Sequence, residues 1–297
     1  MRPRVGRVVV GLLAALAGCS GGAPREDGQG GLRPSVVGDR DGLEVRWWVV
    51  EERGQALAST LAAYADRPSP IGELRAESLR ESGLRLVVVS REEAEAIHNA
   101  LPTVGADVRQ WLGELTLWTE VVKGPSLPAS AIRTHLGSEA ISAGRVRMLA
   151  RCYRLPGGGG EGMRLELAPQ LERRDRLDAE LRIALGESAG LETAGRVFSS
   201  LAMSWSPPPG EVYLLVPEAP SVDWRSVSMQ EREDSAASEA GDDGRPAWAG
   251  VGPAAPSTPT LGEALLGSVD QRPGLSGRRA IVVLAPTSRG RRELIPG

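Results

Sequence analysis

Polar and apolar positions change rhythm along this chain, and each rhythm predicts an element. Residues 44–51 and 84–89 are short runs dense in valine, leucine and tryptophan, as strands are. Between them, Leu57, Leu61 and Tyr64 stand at helical spacing within residues 55–65. Pro68 and Pro70 break that helix, and a second over 72–82 ends before Gly83. Ser90 stands three residues before Glu93, the capping-box spacing that opens a helix over 91–101. A strand over 114–122 follows. Strand, helix, helix, strand, helix, strand predicts a small domain of α/β type over residues 44–140.

From about residue 143 the period shortens to two. Strands are expected at 145–155, 163–171, 177–185, 194–205 and 211–216, many polar on alternate positions, as in a sheet with one wet face. The glycines at 157–160 and Pro207-Pro208-Pro209-Gly210 read as connectors. Residues 141–225 are therefore an antiparallel β region. Residues 226–259 are acidic and then rich in Ala, Pro, Gly and Ser, which predicts a disordered insert. Within 260–297 one strand, 279–284, ends at Pro286 and returns to the β region. The fold class expected is α+β.

The first residues carry an address. Arg2, Arg4 and Arg7 precede an apolar stretch over 8–17 that is too short to span a bilayer. It ends in Leu16-Ala17-Gly18-Cys19, which resembles the lipobox of bacterial lipoprotein precursors. The resemblance implies a signal peptide over 1–18, a diacylglycerol on the Cys19 thiol and a further acyl chain such as palmitate on its new amino group. Ser20 stands where an aspartate would imply inner-membrane retention, so the periplasmic face of the outer membrane is the expected location. Residues 19–43 contain few apolar side chains and read as a flexible tether after the lipidated cysteine. The membrane, reached through the lipid, is the first expected partner, and an envelope protein the second.

Composition narrows the chemistry. The 297 residues carry 35 basic and 38 acidic side chains, a net charge of -3, so no global field favours nucleic acid. With Cys19 lipidated, Cys152 is the remaining thiol; in its strand-like run it reads as buried and inert. The two histidines, His98 and His135, lack neighbours at metal-ligand spacing, so no metal site is assigned. Leu136-Gly137-Ser138-Glu139 is not a nucleophile elbow. The acidic pairs Asp107 with Glu114 and Glu231 with Glu233 have no pattern that faces them across a cleft. The glycine run lacks the Lys-Ser/Thr ending of a phosphate loop. No catalytic residue, cofactor or small-molecule substrate is assigned. Trp47 and Trp48, adjacent on a strand, point to opposite faces, and whichever is exposed is the candidate binding residue.

Two further resemblances cover parts of the chain. Leu79-Arg80-Glu81-Ser82-Gly83-Leu84-Arg85-Leu86-Val87 is similar to a segment of lipoproteins from planctomycete-type bacteria, a match that implies an envelope domain without an activity. Within 163–287, three phrases resemble outer-membrane secretins in order. They are the strand over 163–169 with its final Pro169, the glycine-started strand over 209–215, and Pro259-Thr260-Leu261-Gly262-Glu263-Ala264-Leu265-Leu266-Gly267 before the last strand. Ala264 and Leu265 depart from that pattern, where a leucine and a phenylalanine belong. The leading expectation is a lipid-anchored, non-enzymatic envelope protein with a structural, assembly or protein-binding role. A secretin-like ring or assembly component is the alternative; a hydrolase or ligand binder whose polar residues converge only on folding is a further one.

Overall fold

Strands that are apolar on both sides must be covered on both sides, and this chain meets that demand with three layers. The computed structural model describes residues 41–51, 56–155, 162–172, 195–219, 222, 224, 258–267 and 277–288. Cys19, the expected leader, the expected tether up to residue 40, the strand expected at 177–185 and most of the expected insert lie outside the described residues.

The first sheet has five antiparallel strands: β1 (Gly42–Glu51), β2 (Leu84–Ser90), β3 (Val108–Gly113), β11 (Glu211–Pro217) and β12 (Arg278–Thr287), in the order β2-β11-β12-β1-β3. Val87, Val89, Val212, Leu214, Ile281, Val283, Trp48 and Val50 point to one face. There they meet α1 (Ala56–Leu61) and α3 (Arg91–Ala100), through Leu57, Leu61, Ala94 and Ile97. Leu43, Val45, Leu84, Leu86, Tyr213, Leu215, Val282 and Leu284 point the other way and meet the second sheet.

That second sheet orders β10 (Met203–Trp205), β8 (Met163–Glu172), β7 (Gly144–Arg154) and β4 (Leu115–Leu127), with β9 (Gly195–Val197) also on β8. Val146, Met148, Ala150 and Cys152 of β7 and Leu165 and Leu167 of β8 face the first sheet. Their alternate neighbours, Arg147, Arg151, Glu166 and Glu172, form a polar outer face. The result is a mixed α and β body with antiparallel sheets. A separate hairpin pairs β5 (Ser130–Thr134) with β6 (Gly137–Ile141).

Sheet membership does not follow the division expected at residue 140. β11 and β12 come late in the chain yet sit in the middle of the sheet that β1 and β2 flank, and β4 joins the second sheet beside β7. The final strand thus returns to a sheet that also contains the first. Period-two runs mark a strand but not its partner, which long-range packing selects. β3 and the β5–β6 hairpin lie in stretches to which the sequence reading assigned no element. The strand expected over 194–205 is two short strands divided by a 3-10 turn, Ser199–Leu201. The first helix is likewise a short α1 followed by a 3-10 turn, Ala62–Tyr64.

Pro286 does not end its strand, and Pro169, the strand end of the secretin-like phrase, lies inside β8 as the expected run over 163–171 has it. Pro169 lies inside β8 between the residues paired to β10 (165–167) and those paired to β9 (170–172), where the missing N–H interrupts no ladder on that edge. Pro286 pairs with Leu43 beyond the Val282–Leu284 stretch that β11 covers.

The capping box at Ser90 forms as the spacing predicts: Ser90 Oγ accepts from the Glu93 N–H and Glu93 accepts from the Ser90 N–H. The same box, unforeseen, opens α4 (Leu261–Leu266), with Thr260 and Glu263 in the two roles. α4 is buried almost throughout. Its Gly262 N–H donates to Ser82 O at 2.9 Å, on the turn between α2 (Glu73–Glu81) and β2. A Cβ on Gly262 would overlap the Gly83 carbonyl, and one on Gly124 of β4 would overlap the Ala264 carbonyl.

Gly262→Ala is therefore expected to destabilise the protein by about 3 kcal/mol, because backbone rather than a flexible side chain must yield. Gly162→Ala, whose Cβ meets nothing, is the neutral control. Thr260→Ala should cost about 1 kcal/mol through the lost cap. Urea midpoints at constant m-value measure all three.

Candidate functional site

The two tryptophans singled out as binding candidates are both spent on packing. Trp48 is 2 % exposed on the helix-covered face, its ring 4.8 Å from that of His98. Trp47 is half-buried on the opposite face and donates its Nε1–H to Val121 O at 2.8 Å, tying β1 to β4. They take opposite faces as their strand requires; Trp48 is enclosed, and the half-buried Trp47 is held by its bond to β4.

Two ionic clusters lie on the helix-covered face of the first sheet. In the larger, Glu44 (2 % exposed) accepts from Arg46 Nε at 2.6 Å and from Arg109 Nη2 at 2.7 Å, and Arg46 Nη1 reaches Glu95 of α3 at 2.6 Å. Burial pushes the Glu44 carboxyl up, but hydrogen bonds from Arg109 and Arg46 outweigh it and hold the group below the usual carboxylate range. Two arginines and two glutamates cancel, so β1, β3 and α3 are clamped without a net buried charge. In the smaller cluster Arg85 forks onto Glu218 at 2.7 and 2.6 Å while its guanidinium lies 4.2 Å over the Trp224 ring. Each carboxylate here is already engaged by guanidinium groups, so both clusters read as clamps.

The outer face of the second sheet is different. Arg151 donates through Nε and Nη2 to Glu166 Oε2 at 2.8 and 2.5 Å. Its guanidinium lies 4.6 Å from the centroid of the Trp118 ring and 5.6 Å from that of Tyr153. Tyr153 Oη and Ser204 Oγ complete the shell on Glu166 Oε1 at 3.2 and 3.3 Å. Beside it Arg147 grips Gln170 Oε1 at 2.8 and 2.6 Å and Lys123 reaches Glu172 at 3.2 Å. Trp118, Arg151 and Tyr153 are half-buried, so each shows part of its surface. Tryptophan, tyrosine and arginine held rigid beside one another are the side chains that concentrate contact energy. Sequence reading named none of them. Arg151 and Tyr153 share a face as i and i+2 on β7, a legible hint, but Trp118 arrives from β4 across a pairing that no local pattern announces.

The remaining candidates do not meet in a reactive constellation. Cys152 is fully buried between the sheets; burial and then the Glu114 charge push its thiol up to about 12, so it stays protonated at neutral pH. His98 packs on Trp48, while His135, at the β5–β6 turn, donates its backbone N–H to Ser82 Oγ at 3.0 Å. Asp107 is exposed, and Glu114 accepts from the Arg154 N–H at 2.9 Å. Among the described residues no three His, Cys, Asp or Glu side chains are grouped to hold a metal, and no helix is long and apolar enough to cross a membrane. An open depression of about 540 Å³ beside the start of α2 is lined by Ile71, Glu73, Leu74, Arg75, Ser78 and Ser200. No family model, curated protein or solved structure matches the chain.

Glu44→Ala leaves buried arginine charge short of its partner and is expected to lower stability by about 3 kcal/mol, read by urea unfolding. The pH dependence has a fixed sign. Glu93, bonded by Arg67 and then by the Ser90 N–H, is lowered from 4.5 to about 2, and Glu44 is also lowered. Both contribute stability that is complete above the ordinary carboxylate value and is lost as pH falls through the folded one. The unfolding midpoint should therefore fall on acidification from about 5 toward 2. Glu93→Gln should flatten part of that slope.

Proposed function

We propose that this chain is a lipid-anchored envelope protein without enzymatic activity, which holds a folded body near a membrane surface for protein contact. The observation that carries the reading is Leu16-Ala17-Gly18-Cys19 behind three arginines and a short apolar run. Acyl chains on one cysteine contribute roughly 0.8 kcal/mol per buried methylene, so two or three hold a wettable body durably. Ser20 favours the periplasmic face of the outer membrane. Twenty-three residue steps separate Cys19 from Gly42, the start of β1, a maximum reach of about 75 Å if extended.

The Trp118–Arg151–Tyr153 cluster supports the contact role and supplies its candidate surface. Its arginine is neutralised by Glu166 and stacked between rings, so little side-chain entropy remains to be lost when a partner covers it. A protein surface with an apolar or aromatic centre is the partner this chemistry fits.

The test takes the chain in its native host. Cys19→Ser is expected to abolish labelling by palmitate and to release the protein from the membrane fraction. Retained label in that variant ends the anchoring reading. With Cys19 intact, Trp118→Ala should leave labelling unchanged and remove a partner that crosslinks to the wild-type chain in whole cells. An unchanged crosslinking pattern moves the contact surface elsewhere, and turnover of a substrate by the purified protein displaces the non-enzymatic reading.

A further inference from the structure

β3 closes the first sheet with β1 on one side, and among the described residues no backbone group bonds to its other side. Its row of N–H and C=O groups is therefore a template for another strand. Edge strands are commonly protected by lysine, proline or an unpaired inward charge. Val108-Arg109-Gln110-Trp111-Leu112 has none of these, since Arg109 is neutralised by Glu44. Val108 is 53 % exposed and Gln110 is exposed, while Trp111 and Leu112 are half-buried. A bulge at Leu112 ends the regular pairing to β1 and keeps the template short.

The strand complements itself. In an antiparallel pair about a two-fold axis perpendicular to the sheet, opposite residues share a face, so only alternate registers are allowed. With the axis at Arg109 two arginines would stand opposite each other, a destabilising pair. With the axis at Gln110, each Arg109 stands opposite Trp111 of the other copy on the helix-covered side. Val108 stands opposite Leu112 on the other side. The first pair sets a guanidinium against an indole while its edge still bonds Glu44, and the second sets two apolar side chains together.

We propose that β3 is the contact strand of a two-fold dimer of this chain, with Gln110 on the axis. Only about five residues of each copy pair, so the contact is weak in dilute solution and gains from confinement to a surface. The proposal does not depend on lipidation.

The test uses the full chain carrying Cys19→Ser, in which the fully buried Cys152 is the other thiol. Gln110→Cys places its Cα about 5 Å from its counterpart, within disulfide range. Asp107→Cys, also exposed, lies about 20 Å from its counterpart along the paired strands. Mild oxidation of the purified protein at high concentration should give a covalent dimer with Gln110→Cys and none with Asp107→Cys. Adding Val108→Lys to Gln110→Cys should reduce the yield several-fold. Far-UV circular dichroism checks that each variant is folded. Equal yields from both cysteines, or none from Gln110→Cys in a folded protein, overturn the proposal. So does coupling of Gln110→Cys in cell envelopes to a different protein and not to itself, which would make β3 a receptor for another chain's strand.

Discussion

The body depends on one backbone-to-backbone approach, that of α4 against the turn between α2 and β2. Gly83 turns there with a φ of +82°, and Gly262 lies so near its carbonyl that neither position has room for a methyl group. Around that contact the Ser82 carbonyl accepts from Gly262 N–H, the Gly83 carbonyl accepts from Glu218 N–H, and Ser82 Oγ accepts from His135 N–H. One short turn therefore joins the first sheet, the β5–β6 hairpin and the buried helix. α4 then fills the space between the sheets with Leu261, Ala264, Leu265 and Leu266. A six-residue helix cannot hold its own shape in water, so its cap and its burial must act together.

Around this centre, charge is sorted by layer. The face between the sheets is apolar, whereas the helix-covered face admits Glu44, Arg46, Arg85 and Glu218, each in a paired arrangement. The pairs serve strands at opposite edges of the same sheet, β3 and β2. Such pairs add little net stability over apolar packing, but their directional bonds disfavour a shifted register. The outer face of the second sheet carries further paired charge, and there the aromatic cluster stays partly open.

Much of the local structure could be read from the chain, and little of its assembly. Ser90 with Glu93 specified a helix start because the cap is a contact between residues three apart. Leu84 to Val89 was readable as a strand because a run buried on both faces has a composition that helices seldom share. β3 was missed: its central residues alternate exposed and half-buried, and Gly105 and Gly113 bracket it like a loop. Pro286 misled because a proline interrupts a strand only where a partner needs its N–H, a property of the neighbour and not of the residue. The tryptophans misled for a related reason: adjacency placed Trp47 and Trp48 on opposite faces, but a sheet covered twice leaves neither free. Trp118 gained its setting from Arg151 and Glu166, one and two strands away.

The position of β12 has a consequence for how the body comes into being. β12, the last strand among the described residues, is the middle strand of the first sheet, flanked by β11 and β1. Until residue 287 is available, β1 and β11 have no shared neighbour and the sheet is two separate pieces. Contacts this distant in sequence are slow to close. The first sheet is therefore completed late, when β12 inserts between β1 and β11.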